Sequence, residues 1–93
     1  METTEKLQIG QIVKSSAGRD SSKIFVIIEI LDENYVLLVD GDLRKLDNPK
    51  KKKVKHLRPT NRVLDEIKNK IEAKEKFNNA YVRKLLASFR KEN

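Results

Sequence analysis

The residues of this 93-residue chain best equipped for chemistry are its cations. Between positions 44 and 58 stand Arg44, Lys45, Lys50, Lys51, Lys52, Lys53, Lys55 and Arg58, with Asp47 as the single acid. Ammonium and guanidinium groups at this density suit the holding of a polyanion, because each phosphate they neutralise releases condensed counterions. The formal net charge is +7, and these fifteen residues account for all of it: the other 78 hold 13 bases and 13 acids. A lysine-rich loop kept only for solubility would have the same composition, so context must separate the two readings. A strand over Lys50 to Lys53 would put two lysines on each face. A mobile loop would let all four follow backbone phosphates without reading bases, and it is the more economical picture. Pro49 bars a central strand position, which leaves Asn48 to Lys51 as a loop or an edge.

Other chemistries find little support. There is no Cys, and His56 is the sole histidine, so thiolate catalysis, zinc ribbons and His-rich metal sites are excluded. Amid Lys55 and Arg58, His56 packs or donates to a phosphate at lower pH. Asp40 and Asp42 flank Gly41 as turn formers, not as an acid–base pair. No nucleophile elbow, Walker-type loop or H-E-x-x-H motif occurs. The expectation is therefore no catalytic residue, no metal, no cofactor and no small-molecule substrate. The aromatic residues are Phe25, Tyr35, Phe77, Tyr81 and Phe89. All read as core except Tyr35, which lies beside a turn and could stack on a base. Few stacking platforms argue for recognition of structured RNA by shape and phosphate.

The elements that must carry these groups come in two blocks. From Leu7 to about Thr60 the pattern is β, after a lead-in over residues 1–6. Ile9 to Lys14 reads as a short strand, followed by a small polar loop from Ser15 to Ser22. Of the 16 residues from Ile24 to Val39, 12 are apolar; Asp32-Glu33-Asn34 interrupts them, giving a hairpin of strands 24–31 and 36–39. Asp40-Gly41 is a strong turn signal, after which Leu43 to Leu46 turn back. Val54 to Leu57 supply a last short strand. These strands are apolar on both faces, so something must cover the outer one.

After Pro59 the period becomes helical. Thr60 or Asn61 can cap a helix whose stripe is Val63, Leu64, Ile67 and Ile71. Asn78-Asn79 breaks or re-caps it, and Tyr81, Val82, Leu85, Leu86 and Phe89 mark a second amphipathic segment. The helices are expected to pack on the sheet, because a β unit of about 55 residues buries only about 60% of its chain surface alone. The fold class is thus mainly β with C-terminal α.

Several short patterns together resemble the KOW-domain ribosomal proteins: Gly10-x-x-Val13, Gly18-Arg19-Asp20-x-x-Lys23, Asp32-Glu33-Asn34-Tyr35-Val36-Leu37 and Lys55-His56-Leu57-x-Pro59-Thr60. The branch most similar is the large-subunit one called fourteen-e, with its six-e and twenty-seven-e relatives; in length, small bacterial KOW-domain RNA-binding proteins are also similar. The resemblance covers roughly residues 7–61. It implies a small Src-homology-3-like β-barrel over residues 7–60, followed by a helical extension over 61–93. It further implies that Lys14, Ser15, Gly18, Arg19 and Lys23 lie in an RNA-facing loop, and Arg44, Lys45, Lys53, Lys55 and His56 in basic strands. One departure is Ser21-Ser22, where KOW loops usually carry a Gly before the Lys; Ser tolerates positive φ less well.

The sequence reading is a cytoplasmic, non-enzymatic module that binds ribosomal or other structured RNA, with a ribosomal or translation-factor protein as a further partner. Docking would use residues 44–58, including Lys50, Lys51, Lys52 and Arg58, with the Ser15–Lys23 loop fitting a groove. The rival reading is a protein-interaction barrel that recruits transcription or translation machinery. A spanning helix needs about 20 apolar residues, and the longest apolar run here is the five from Ile24 to Ile28, so no membrane is expected.

Overall fold

A computed structural model describes residues 3–16 and 23–92. Five antiparallel strands, β1 (Gln11–Ser15), β2 (Ile24–Ile30), β3 (Tyr35–Val39), β4 (Lys50–Lys53) and β5 (Leu57–Val63), form one sheet in the order β4-β3-β2-β1-β5. A 3-10 turn over Val54–His56 joins β4 to β5, and the helices α1 (Asp65–Glu72) and α2 (Asn79–Glu92) follow. This is a small barrel-like β domain of Src-homology-3 type with C-terminal helices.

The double-sided apolar strands are explained by two separate cores. Val13, Phe25, Ile27, Val36, Leu38, Val54 and Leu57 fill the inner side, with Leu7 closing it. Ile12, Ile24, Val26 and Val39 face outward and meet Leu64, Ile67, Val82, Leu86 and Phe89 of the helical segment. Alternate residues of one strand thus serve alternate cores, as the two-residue side-chain period requires. A bulge between Ile27 and Glu29 resets that period. Glu29 thereby stays in solvent while Ile30 packs against the inner core.

Two glycines set how closely the helices approach. Gly10 has φ +90°, and a Cβ there would lie 2.9 Å from the Leu64 carbonyl oxygen; its own carbonyl accepts from Leu64 N–H at 2.7 Å. Gly41 has φ +80°, and its Cβ would stand 2.5 Å from the Asn79 carbonyl oxygen. The Arg83 guanidinium donates to the Gly41 carbonyl at 2.6 Å, and Asn79 Oδ1 accepts from Leu46 N–H at 2.8 Å. Asn78 caps α2, its Oδ1 accepting from Tyr81 N–H at 2.9 Å.

Three element expectations need correction. Lys50 to Lys53 form an edge strand, not a mobile loop, because their backbone pairs with Leu38, Leu37, Val36 and Tyr35 in turn. Val54 to His56 form a 3-10 turn, and the last strand runs from Leu57 through Pro59 to Val63. β5 is an edge strand, so a residue without N–H is tolerated there. The first helix accordingly starts at Asp65, Val63 belongs to the strand, and neither Thr60 nor Asn61 caps it: Thr60 Oγ1 donates to the Ile12 carbonyl at 2.7 Å.

Candidate nucleic-acid interface

The sheet register decides which cations share a face. Lys51 stands opposite Leu37 and Lys53 opposite Tyr35, on the outer side of the sheet. Lys50 and Lys52 stand opposite Leu38 and Val36, which face the inner core. The four lysines therefore split two and two. The Lys51 ammonium lies 4.7 Å from the centroid of the Tyr35 ring, and that of Lys53 lies 5.9 Å from it. Tyr35 is half-buried and serves as an anchor for two cations, a contact worth about 0.5–1 kcal/mol at an exposed site. Burial, and then the like charge of Lys52, holds the Lys50 ammonium below the usual lysine pKa.

A second group forms at the stem of the loop that leaves β1. Lys14 is the cross-strand partner of Arg58, and both are exposed. Ser15 N–H donates to the Lys23 carbonyl at 2.9 Å, and Ser16 N–H donates to the His56 carbonyl at 2.9 Å. Lys14, Ser15, Lys23, Lys55, His56 and Arg58 are thus brought to one end of the barrel, with Ser15 itself buried. Gly18 and Arg19, assigned to the same loop, lie outside the described residues.

Arg44 and Lys45 are not brought into a strand. They lie in the β3–β4 connection, where Asp40 Oδ1 accepts from Asp42 N–H at 2.9 Å and Arg44 N–H at 2.8 Å. Asp40 and Asp42 thus act within a turn. This connection is also the one that α2 touches, through Asn79 and Arg83.

The sequence reading missed Arg62. The helical period after Pro59 places it in a helix, whereas β5 carries it to the rim of an open cavity of about 430 Å³, lined by Lys14, Thr60, Asn61, Arg62, Phe89 and Glu92. Its guanidinium pairs with Glu92 at 2.6 Å, with both side chains about half exposed, so the pair contributes about 0–1 kcal/mol. Only the cross-strand pairing of β5 with β1 reveals this position. Among the described residues no cluster of three or more His, Cys, Asp or Glu could hold a metal ion, and no helix is long and apolar enough to cross a membrane.

Comparison with known proteins gives the cation pattern a setting. No protein-family profile matches the chain. It is 30% identical over 59 residues to the large ribosomal subunit protein eL14 of Methanococcus vannielii, a match covering 63% of this chain and 70% of that protein. The chain belongs to the eL14 family. The eL14 of Staphylothermus marinus is 36% identical over 61 residues, covering 63% of this chain and 62% of that protein. The eL14 of Desulfurococcus amylolyticus is 36% identical over 60 residues, covering 62% and 60%. The expected KOW-type resemblance is thus met in its fourteen-e branch.

Proposed function

We propose that this eL14-family chain is a non-catalytic RNA-binding protein that docks on structured RNA, ribosomal RNA of the large subunit foremost. The carrying observation is the cationic ribbon on sheet-paired backbone: four lysines on edge strand β4 lead through a 3-10 turn to Arg58, the cross-strand partner of Lys14. Pre-ordered cations lose less conformational freedom on binding than those on a free loop. Lys51 and Lys53, seated on Tyr35, meet phosphates on the outer side. Lys14, Lys23, Lys55, His56 and Arg58 meet them at the loop stem, with Gly18 and Arg19 assigned to the same contact from sequence. The relatives' name makes the ribosome, with its RNA and neighbouring proteins, the proposed cytoplasmic partner. The barrel, whose last strand runs to Val63, and the helices that follow from Asp65 would act there as one unit.

The test is titration with folded ribosomal RNA fragments across a range of salt. Lys51→Gln with Lys53→Gln should reduce the log–log salt slope by about 1.4–1.8, from roughly 0.7–0.9 per contact. Lys50→Gln with Lys52→Gln should reduce it less. No complex at micromolar protein and physiological salt would overturn the reading. Complexes that survive both nuclease and high salt would overturn it too, and favour the protein-interaction barrel.

A further inference from the structure

The near-neutral total outside residues 44–58 conceals a second asymmetry, which the fold exposes. The segment from Asp65 to Lys76 carries four acids, Asp65, Glu66, Glu72 and Glu75, and four bases, Lys68, Lys70, Lys74 and Lys76. That is the usual mixed face of a solvated helix. α2 differs. Its buried stripe is Val82, Leu86 and Phe89, and its exposed residues include Arg83, Lys84, Arg90 and Lys91. The helical period of 100° per residue gathers Lys84, Ala87 and Lys91 into one outward stripe, with Arg83 and Arg90 along its border. The sole acid of α2, Glu92, is paired with Arg62. Helix stability explains only part of this. Arg90 and Lys91 in the last turn complement the macrodipole, but Lys84 stands mid-helix, outside that turn, and the first turn contains no acid.

The ends of α2 add a second observation. Its N-terminal residues are bonded to the 41–46 turn that carries Arg44 and Lys45. Its C-terminal turn meets β5 at Arg62, beside a cavity that Lys14 also lines. A helix of 14 residues is about 20 Å long. α2 therefore spans the gap between two cation groups that the sheet alone leaves apart.

We propose that the outward face of α2 is a second RNA-contact surface, in which Lys84, Arg90 and Lys91 hold the phosphate backbone of the same structured RNA that the barrel binds. The inference rests on the RNA-binding reading above but concerns a helix beyond the motifs that carry the family resemblance, the last of which ends at Thr60. A uniformly cationic face with Ala87 at its centre offers charge and close approach, with no base-reading amide, so contact is sequence-independent. An acidic protein is the competing occupant and is separated by the test.

The full chain, its Lys84→Gln/Arg90→Gln/Lys91→Gln variant, the β4 variant with Lys50 to Lys53 all replaced by Gln, and a control are titrated with folded large-subunit RNA fragments. The control, Lys6→Gln/Lys74→Gln/Lys76→Gln, removes the same charge from exposed positions elsewhere. Arg83 is left intact because it holds Gly41. The α2 variant should stay folded, its melting temperature only slightly lowered by the loss of last-turn cations, bind about ten- to a hundredfold more weakly at physiological salt, and lose about 2–3 from its salt slope. The control should stay within about twofold of the parent. RNA binding that depends on β4 but not on α2, or an equal loss in the control, overturns this inference alone. Retained RNA affinity with loss of an acidic protein partner does the same. No RNA binding by the parent chain overturns the functional reading beneath it.

Discussion

The two ends of β3 show how one strand face can be closed in opposite ways. At one end Val39 lies fully buried under apolar side chains of the helices. At the other, Tyr35 on the same side is covered by the ammonium ends of Lys51 and Lys53. The first cover removes apolar surface from water and presents only the far side of a helix. The second uses amphipathic side chains, whose stems shield the ring while their charges stay in solvent. The difference teaches that the cationic ribbon is part of the barrel's own surface closure, not an appendage to it.

The largest effect that would test this comparison is at the helical end. Leu86 is fully buried, so Leu86→Ala should cost about 2–5 kcal/mol in denaturant unfolding, with RNA affinity of the still-folded protein close to the parent's. Negligible destabilisation would mean that the helices do not close that face. At the lysine end the expected cost is smaller. Tyr35→Ala should lose about 1–2 kcal/mol and weaken RNA binding severalfold, whereas Tyr35→Phe should preserve both, since the ring face is what the ammonium groups use. Equal behaviour of the two variants would break the assignment.

A smaller gain is expected between the helices. Lys74 has φ 57° at the end of α1, where Glu75 N–H donates back to the Lys70 carbonyl at 2.8 Å. Lys74→Gly should therefore raise stability by up to about 1 kcal/mol, seen as a higher midpoint in urea. The smallest effect concerns pH. Because Lys50 has its folded-state pKa lowered below 10.5, the unfolded chain takes up the proton more readily. The resulting penalty is complete below the folded value and is relieved as pH rises towards 10.5. Lys50→Gln should then stabilise modestly at neutral pH, with an advantage that vanishes in alkaline solution. An advantage that grew with pH would contradict the assigned cause.

Much of the architecture was legible in the residues themselves. The unbroken apolar run from Ile24 to Ile28 demanded a strand buried on both faces, and the helical stripe containing Leu86 and Phe89 supplied the cover. What the sequence concealed was edge structure. A lysine run has no apolar alternation, so β4 acquires its strand form only by pairing with β3. Pro59 signals an ending in any local reading, yet an edge strand leaves its missing N–H without consequence. That misplacement carried Val63 and Arg62 into a helix they do not join. Of the interface, the charged segment was evident, but its two-and-two division is a matter of register. The pairing of Lys14 with Arg58 spans 44 positions, which no local pattern records.

One consequence follows from β4 being an outermost strand. It has a strand neighbour on one side only, and the other is the kind of rim onto which a second copy could add a strand and begin to aggregate. Four successive ammonium groups make that approach repulsive. The lysine ribbon therefore guards free chains against self-association, and a polyanion that neutralised it would shield the same rim it uncharged.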